Sequence, residues 1–128
     1  MHEALSKGNA WAQTASMIIA VFGKQDEDCE IGPRIYYLFD IGMATGFLIL
    51  RATELGMVAH PIAGYNEDKV KDILNIPDEM RIITLVIVGK RSDSISDVLS
   101  EKQVEQETHR PPRKKLNDFV YNNQYMAD

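Results

Sequence analysis

Apolar positions along this chain are gathered into a few runs whose spacing is informative. The longest lies in residues 36–65, YYLFDIGMATGFLILRATELGMVAHPIAGY, and predicts a helix over 35–55, opened by Pro33 in its first turn and closed by Gly56. Because apolar residues fall on every face of it, that helix is expected to be buried all round. The run then opens into a Pro61-Ile62-Ala63-Gly64 turn, where glycine lets another group approach the main chain. Residues 16–22 (SMIIAVF) and Arg81–Gly89 (RIITLVIVG) are short, rich in Ile and Val, and predict buried strands, the second a central one.

Between these runs the polar residues act as boundaries. Asn9 is placed to cap a short helix beginning Ala10-Trp11-Ala12. Residues 23–32 form an acidic loop. Asn66 caps a helix with Glu67 and Asp68 in its first turn, and Val70, Ile73 and Leu74 share one side of it. A turn around Pro77 leads to the second strand. Residues 92–109 are polar, a surface loop or frayed helix, and a basic Arg110-Pro-Pro-Arg-Lys-Lys tail precedes an amphipathic stretch over 116–125. Two strands make a marginal sheet, so the missing partners are expected from a second copy or from sequence upstream of Met1.

Composition narrows the function classes. With 128 residues, 45% of them hydrophobic and 26% charged, the chain has the make-up of one globular domain. A formal net charge of −5 speaks against a general affinity for nucleic acid. The uncharged stretch over 41–50 is flanked by Asp40, Arg51 and Glu54, and is shorter than the about 20 residues a membrane span needs. There is no leader-like N-terminus, and lone Cys29 can form no intrachain disulfide, so a cytoplasmic protein is expected. His2 and His109 lack metal-ligand spacing. His60 reads as a loop histidine and Asp40 as a core or interface carboxylate.

The ordered set of these pieces resembles the flavin-dependent nitroreductase family. The matching segments are Gly8-Asn9-Ala10-Trp11-Ala12 with the strand that follows, Asp40-Ile-Gly-Met-Ala, Pro61-Ile-Ala-Gly-Tyr65, Val88-Gly89-Lys90, and Arg110-Pro-Pro-Arg-Lys-Lys-Leu-Asn-Asp-Phe-Val. The resemblance implies an α+β fold, an α-β-α sandwich around a mainly antiparallel sheet. The family's Arg-rich phosphate motif, normally earlier in the chain, has no counterpart here, so the chain is expected to be the later part of that fold.

By the same resemblance, FMN is the cofactor and NADH or NADPH the electron donor. The acceptor is a nitro compound, quinone or similar small molecule. Relatives form homodimers with long helices packed across the boundary. Flavin-binding roles fall on Asn9 at the ring's polar edge, on the main chain of Pro61, Ile62, Ala63 and Gly64 facing N5 and O4, and on Arg110 and Arg113 at the phosphate. Where many relatives carry Glu, this chain has Ala63, which serves equally in a main-chain contact. The flavin carries the chemistry, so no catalytic side chain is implied. The competing expectation is a non-catalytic interaction module that keeps the scaffold without flavin.

Overall fold

A computed structural model describes residues 1–125, which fall into two compact units divided between Val98 and Leu99. The first unit holds a three-stranded antiparallel sheet in the order β1-β5-β4, with β1 at Met17–Gly23, β4 at Val58–Ile62 and β5 at Arg81–Gly89. A small hairpin pairs β2 (Glu30–Ile31) with β3 (Arg34–Ile35), and two helices, α1 (Tyr37–Glu54) and α2 (Glu67–Leu74), complete the unit. The expected α+β class is what the structure shows.

β5 is the central strand, as its apolar run predicted. On one face, Ile62, Leu85 and Ile87 form a core with Val70 and Ile76 and with Ala4 and Ala12 of two N-terminal 3-10 helices, His2–Ala4 and Lys7–Thr14. The register slips at Val21/Phe22, where Val21 faces Thr84 and Phe22 faces Ile82, so Ile83 is the extra residue. That bulge lets Ile82 join Leu85 in the same core. On the other face α1 lies against β1 and β4.

The third strand corrects the sequence reading. β4 stands where a helix-to-turn exit was expected, so the third strand comes from within the chain. Pro61 hid it, because proline argues against a strand interior. The register resolves the conflict: Pro61 faces Val86, and with no N–H it can occupy only a non-hydrogen-bonded pair. β4 is an edge strand, and proline's main chain points away from β5.

α1 is also corrected. Pro33 lies outside it, in the two-residue turn joining β2 and β3, where Gly32 takes φ +61 as the first residue of a hairpin turn. Its end matches expectation: Gly56 has φ +73, its N–H donates to Thr53 O at 3.0 Å, and Met57 N–H donates to Ala52 O at 2.9 Å. That is a Schellman stop. Burial all round is not seen. Tyr37, Ile41, Thr45, Leu48, Ile49 and Ala52 form the covered stripe, whereas Phe39 (60%), Phe47 (69%) and Leu50 (63%) remain exposed with Leu38 and Met43.

α2 begins as expected, with Asn66 Oδ1 accepting from Lys69 N at 2.9 Å. Its inner side differs from the sequence reading, because Val70 and Lys71 are buried while Ile73 and Leu74 are exposed. Lys71 is only 8% exposed yet fully engaged, donating to Asp78 O at 2.9 Å and lying 3.6 Å from Glu67. Glu67 also accepts from Ile82 N at 3.0 Å and pairs with Arg81 at 3.0 Å, tying α2 to the start of β5.

In the second unit the polar segment contains α3 (Glu101–Thr108), with a Ser100/Gln103 capping box at its start. The stretch over 116–125 holds a single 3-10 turn, Leu116–Asp118. Among the described residues no helix is long and apolar enough to cross a membrane.

Candidate functional site

The segment leaving β4 is where the chain presents main chain at its surface. Ile62 anchors its start in the core, and Thr84 Oγ1 donates to Ile62 O at 3.0 Å. Alternation along the strand then turns the Ala63 N–H away from β5, as at Pro61. Ala63 is exposed and Gly64 half-buried.

Two anchors hold this segment from behind. Tyr65 inserts toward β5, its hydroxyl donating to Ile82 O at 2.8 Å, and its N–H reaches back to Ala63 O at 3.3 Å. Burial, and then the nearby Glu67 carboxylate, raise the Tyr65 pKa, partly opposed by Arg81, so the phenol stays a donor through the neutral range. The N-terminal strap makes the second anchor. Ser6 N–H donates to Gly64 O at 3.0 Å, Asn66 N–H donates to Ala4 O at 2.7 Å, and Leu5 bridges Tyr65.

Asn9 completes the strap in a way its sequence position did not reveal. It lies at a kink between two short 3-10 helices, with φ −111 and ψ 19, directly before the one that begins at Ala10. Its Nδ2 donates to Gly64 O at 2.9 Å, across 55 positions of sequence. Ser6 and Asn9 also explain why residue 64 is glycine. A Cβ there would lie 2.5 Å from both Asn9 Nδ2 and Ser6 Oγ.

The structure therefore brings Asn9 together with Ala63 and Gly64, at the end of the strand that carries Pro61 and Ile62. Ile62's side chain belongs to the core. Arg110 and Arg113 lie in the second unit, in an extended, exposed run after α3. Among the described residues neither forms a salt bridge. His60, expected in a loop, lies in β4 with its ring edge-on to Trp11 at 5.2 Å between centroids. No group of three or more potential metal ligands occurs among the described residues.

Sequence reasoning missed Ser6 and Tyr65. Ser6 holds Gly64 O through its main-chain N–H, a contact that leaves no trace in residue type. Tyr65 was legible in principle, since a tyrosine after an apolar strand tends to find an acceptor when buried.

The nitroreductase family's sequence profile matches residues 2–90. An uncharacterised 15.4 kDa protein of Mycolicibacterium smegmatis is 34% identical over 89 residues, which are 70% of this chain and 58% of that protein. Among solved structures, an FMN-containing oxidoreductase is 28% identical with a TM-score of 0.74, over 98% of this chain and 64% of its own. A nitroreductase family protein from Clostridium novyi NT is 27% identical with a TM-score of 0.65, over 71% of this chain and 54% of its own. The chain thus spans somewhat more than half the length of the proteins it matches. With the strands, the capped turn and the ordered sequence segments all in agreement, the chain belongs to the nitroreductase family.

Proposed function

We propose that this chain forms the larger part of an FMN-dependent oxidoreductase, passing reducing equivalents from NADH or NADPH to a nitro compound, quinone or similar acceptor in the cytoplasm. The observation that carries the reading is the Ala63–Gly64 main chain, turned outward and held from behind. When bound, FMN would supply hydride chemistry at its ring. The Ala63 N–H is a fixed donor for a ring heteroatom, and a pre-set donor stabilises developing charge without reorganising. Arg110 and Arg113 offer guanidinium forks, which match phosphate oxygens in bidentate geometry. The FMN-containing oxidoreductase among the structural neighbours supports the choice of flavin.

A second copy of the chain belongs to the same proposal. Phe39, Met43, Phe47 and Leu50 form a stripe on the side of α1 opposite the sheet, all of them exposed. Covering each large apolar side chain is worth up to about 1.5–3 kcal/mol, a favourable term set against the freedom lost on association.

One observation favours the non-catalytic alternative. Gly64 is explained by the crowding of Asn9 and Ser6 against it, so the glycine by itself does not require a ligand. Titration separates the readings. The wild-type protein is expected to bind FMN and to become yellow. Arg113→Ala should weaken FMN by about tenfold or more, the worth of a charge-assisted contact, and leave riboflavin, which lacks the phosphate, almost unchanged. Absence of FMN binding would select the non-catalytic module. Equal weakening of both ligands would mean that Arg113 does not hold the phosphate.

A further inference from the structure

We infer that Asn9 is a positioning residue whose carboxamide fixes the Gly64 carbonyl, and through it the Ala63–Gly64 main chain. The inference rests on the functional reading above and changes the role that family resemblance gives Asn9, from a ring contact to a clasp. Glycine is required at 64 by the closeness of Asn9 and Ser6, yet glycine is also the residue with the widest choice of φ and ψ. Left alone, the peptide planes on either side of it would turn freely. Two donors on one carbonyl remove that freedom: Ser6 N at 3.0 Å and Asn9 Nδ2 at 2.9 Å.

The geometry of Asn9 serves this purpose. Its non-helical backbone interrupts the 3-10 helix at that residue alone, and its own N–H donates to Ser6 O at 2.9 Å, keeping both clasp members together. Nδ2 also lies 3.4 Å from Ser6 Oγ. A primary carboxamide has two N–H donors, and both of these are directed at protein. The donor side of Asn9 is thereby committed to the fold, leaving its carbonyl oxygen for any ligand.

The test uses Asn9→Asp, Asn9→Ala and Ser6→Ala in the full chain. Amide hydrogen exchange is followed by NMR at Ser6, Tyr65 and Asn66, whose N–H groups donate to Gly64 O, Ala63 O and Ala4 O, with Val70 and Leu85 as core references. FMN and riboflavin are titrated in parallel. Asn9→Asp presents a carboxylate to the Gly64 carbonyl, so exchange at Ser6, Tyr65 and Asn66 should rise about tenfold at neutral pH, the loss of one half-buried hydrogen bond, with the references unmoved. Near pH 4, about the ordinary value for an aspartic acid, the carboxyl regains a proton to donate, and protection relative to wild type should return. Asn9→Ala should loosen the same residues without that pH dependence. Ser6→Ala keeps the main-chain N–H and loses only the long contact of Ser6 Oγ with Asn9 Nδ2, so it should loosen these amides far less than either Asn9 variant.

Both Asn9 variants should weaken FMN and riboflavin alike, since the clasp serves the ring end of the site. Unchanged exchange at Ser6, Tyr65 and Asn66 would overturn the clasp, as would an equal loss of protection at Val70 and Leu85 in both Asn9 variants. A loosened turn with undiminished affinity for both flavins would overturn the positioning role. Failure of the wild type to bind FMN would instead remove the functional reading and the positioning role with it, while the exchange pattern still decides the clasp.

Discussion

At the scale of single residues, the loop before α1 places two carboxyl groups in conflict. Asp40, in the first turn of that helix, has its pKa raised by loss of surrounding water and then by the neighbouring Asp28. Asp28 Oδ1 accepts from Cys29 N at 2.6 Å, and a hydrogen bond between the two side chains also favours the protonated Asp40. A raised pKa means that the folded state holds the Asp40 proton more tightly than the unfolded chain does. The stabilisation it gives is complete below the unfolded value of about 3.9 and is lost as pH rises through the folded value. Asp40→Asn removes the charge at all pH values. Thermal denaturation should therefore show a higher melting temperature for Asp40→Asn than for wild type at pH 7, and no such gain at pH 3. A variant equally stabilised at both pH values would place the benefit elsewhere than in the carboxyl pair.

At the scale of elements, the end of α1 and the start of α2 were legible because they are written in residue types whose local chemistry decides the matter. Gly56 can take the left-handed conformation and Asn66 can accept a backbone N–H, whatever surrounds them. Gly56→Ala, at φ +73, should cost about 1 kcal/mol, the penalty of a Cβ in that conformation. Gly46→Ala, inside the same helix with nothing within 4 Å of the added carbon, should gain about the same through helix propensity. Chemical denaturation of the two variants should thus move in opposite directions. β5 was legible for a similar reason, its near-continuous apolar run. β4 was not, because its Pro61 is acceptable only on a sheet edge, and edge position is a property of the assembled sheet. Nor was the Asn9 clasp, since a hydrogen bond across 55 positions depends on how the N-terminal strap folds back. The main-chain turn of the site was visible as a Gly-containing exit. What holds that turn in place was not.

At the scale of the whole molecule, the uneven covering of α1 is the feature with the widest reach. One stripe packs on the sheet while Phe39, Met43, Phe47 and Leu50 face outward, and the proposed second copy would cover that outward stripe. Sedimentation of the wild type should give a dimer, and Phe47→Lys should shift it to monomer, since a cation placed in such a contact carries a desolvation cost of several kcal/mol, by order of magnitude. A dimer that survives the lysine would place the interface on another face. Pro61 bears on association in a different sense. Along the outer border of β4, Ala59 and Ala63 each offer an N–H, but the proline between them offers none, so a strand arriving there would meet a break in the middle of its ladder. β1, at the opposite border, has no such interruption, and the N–H groups of Ile18 and Ala20 point outward along an apolar strand. The sheet is consequently one-ended: any lengthening by another strand is directed to the β1 side, and a single imino acid keeps the border beside the candidate site from becoming a template for runaway polymerisation.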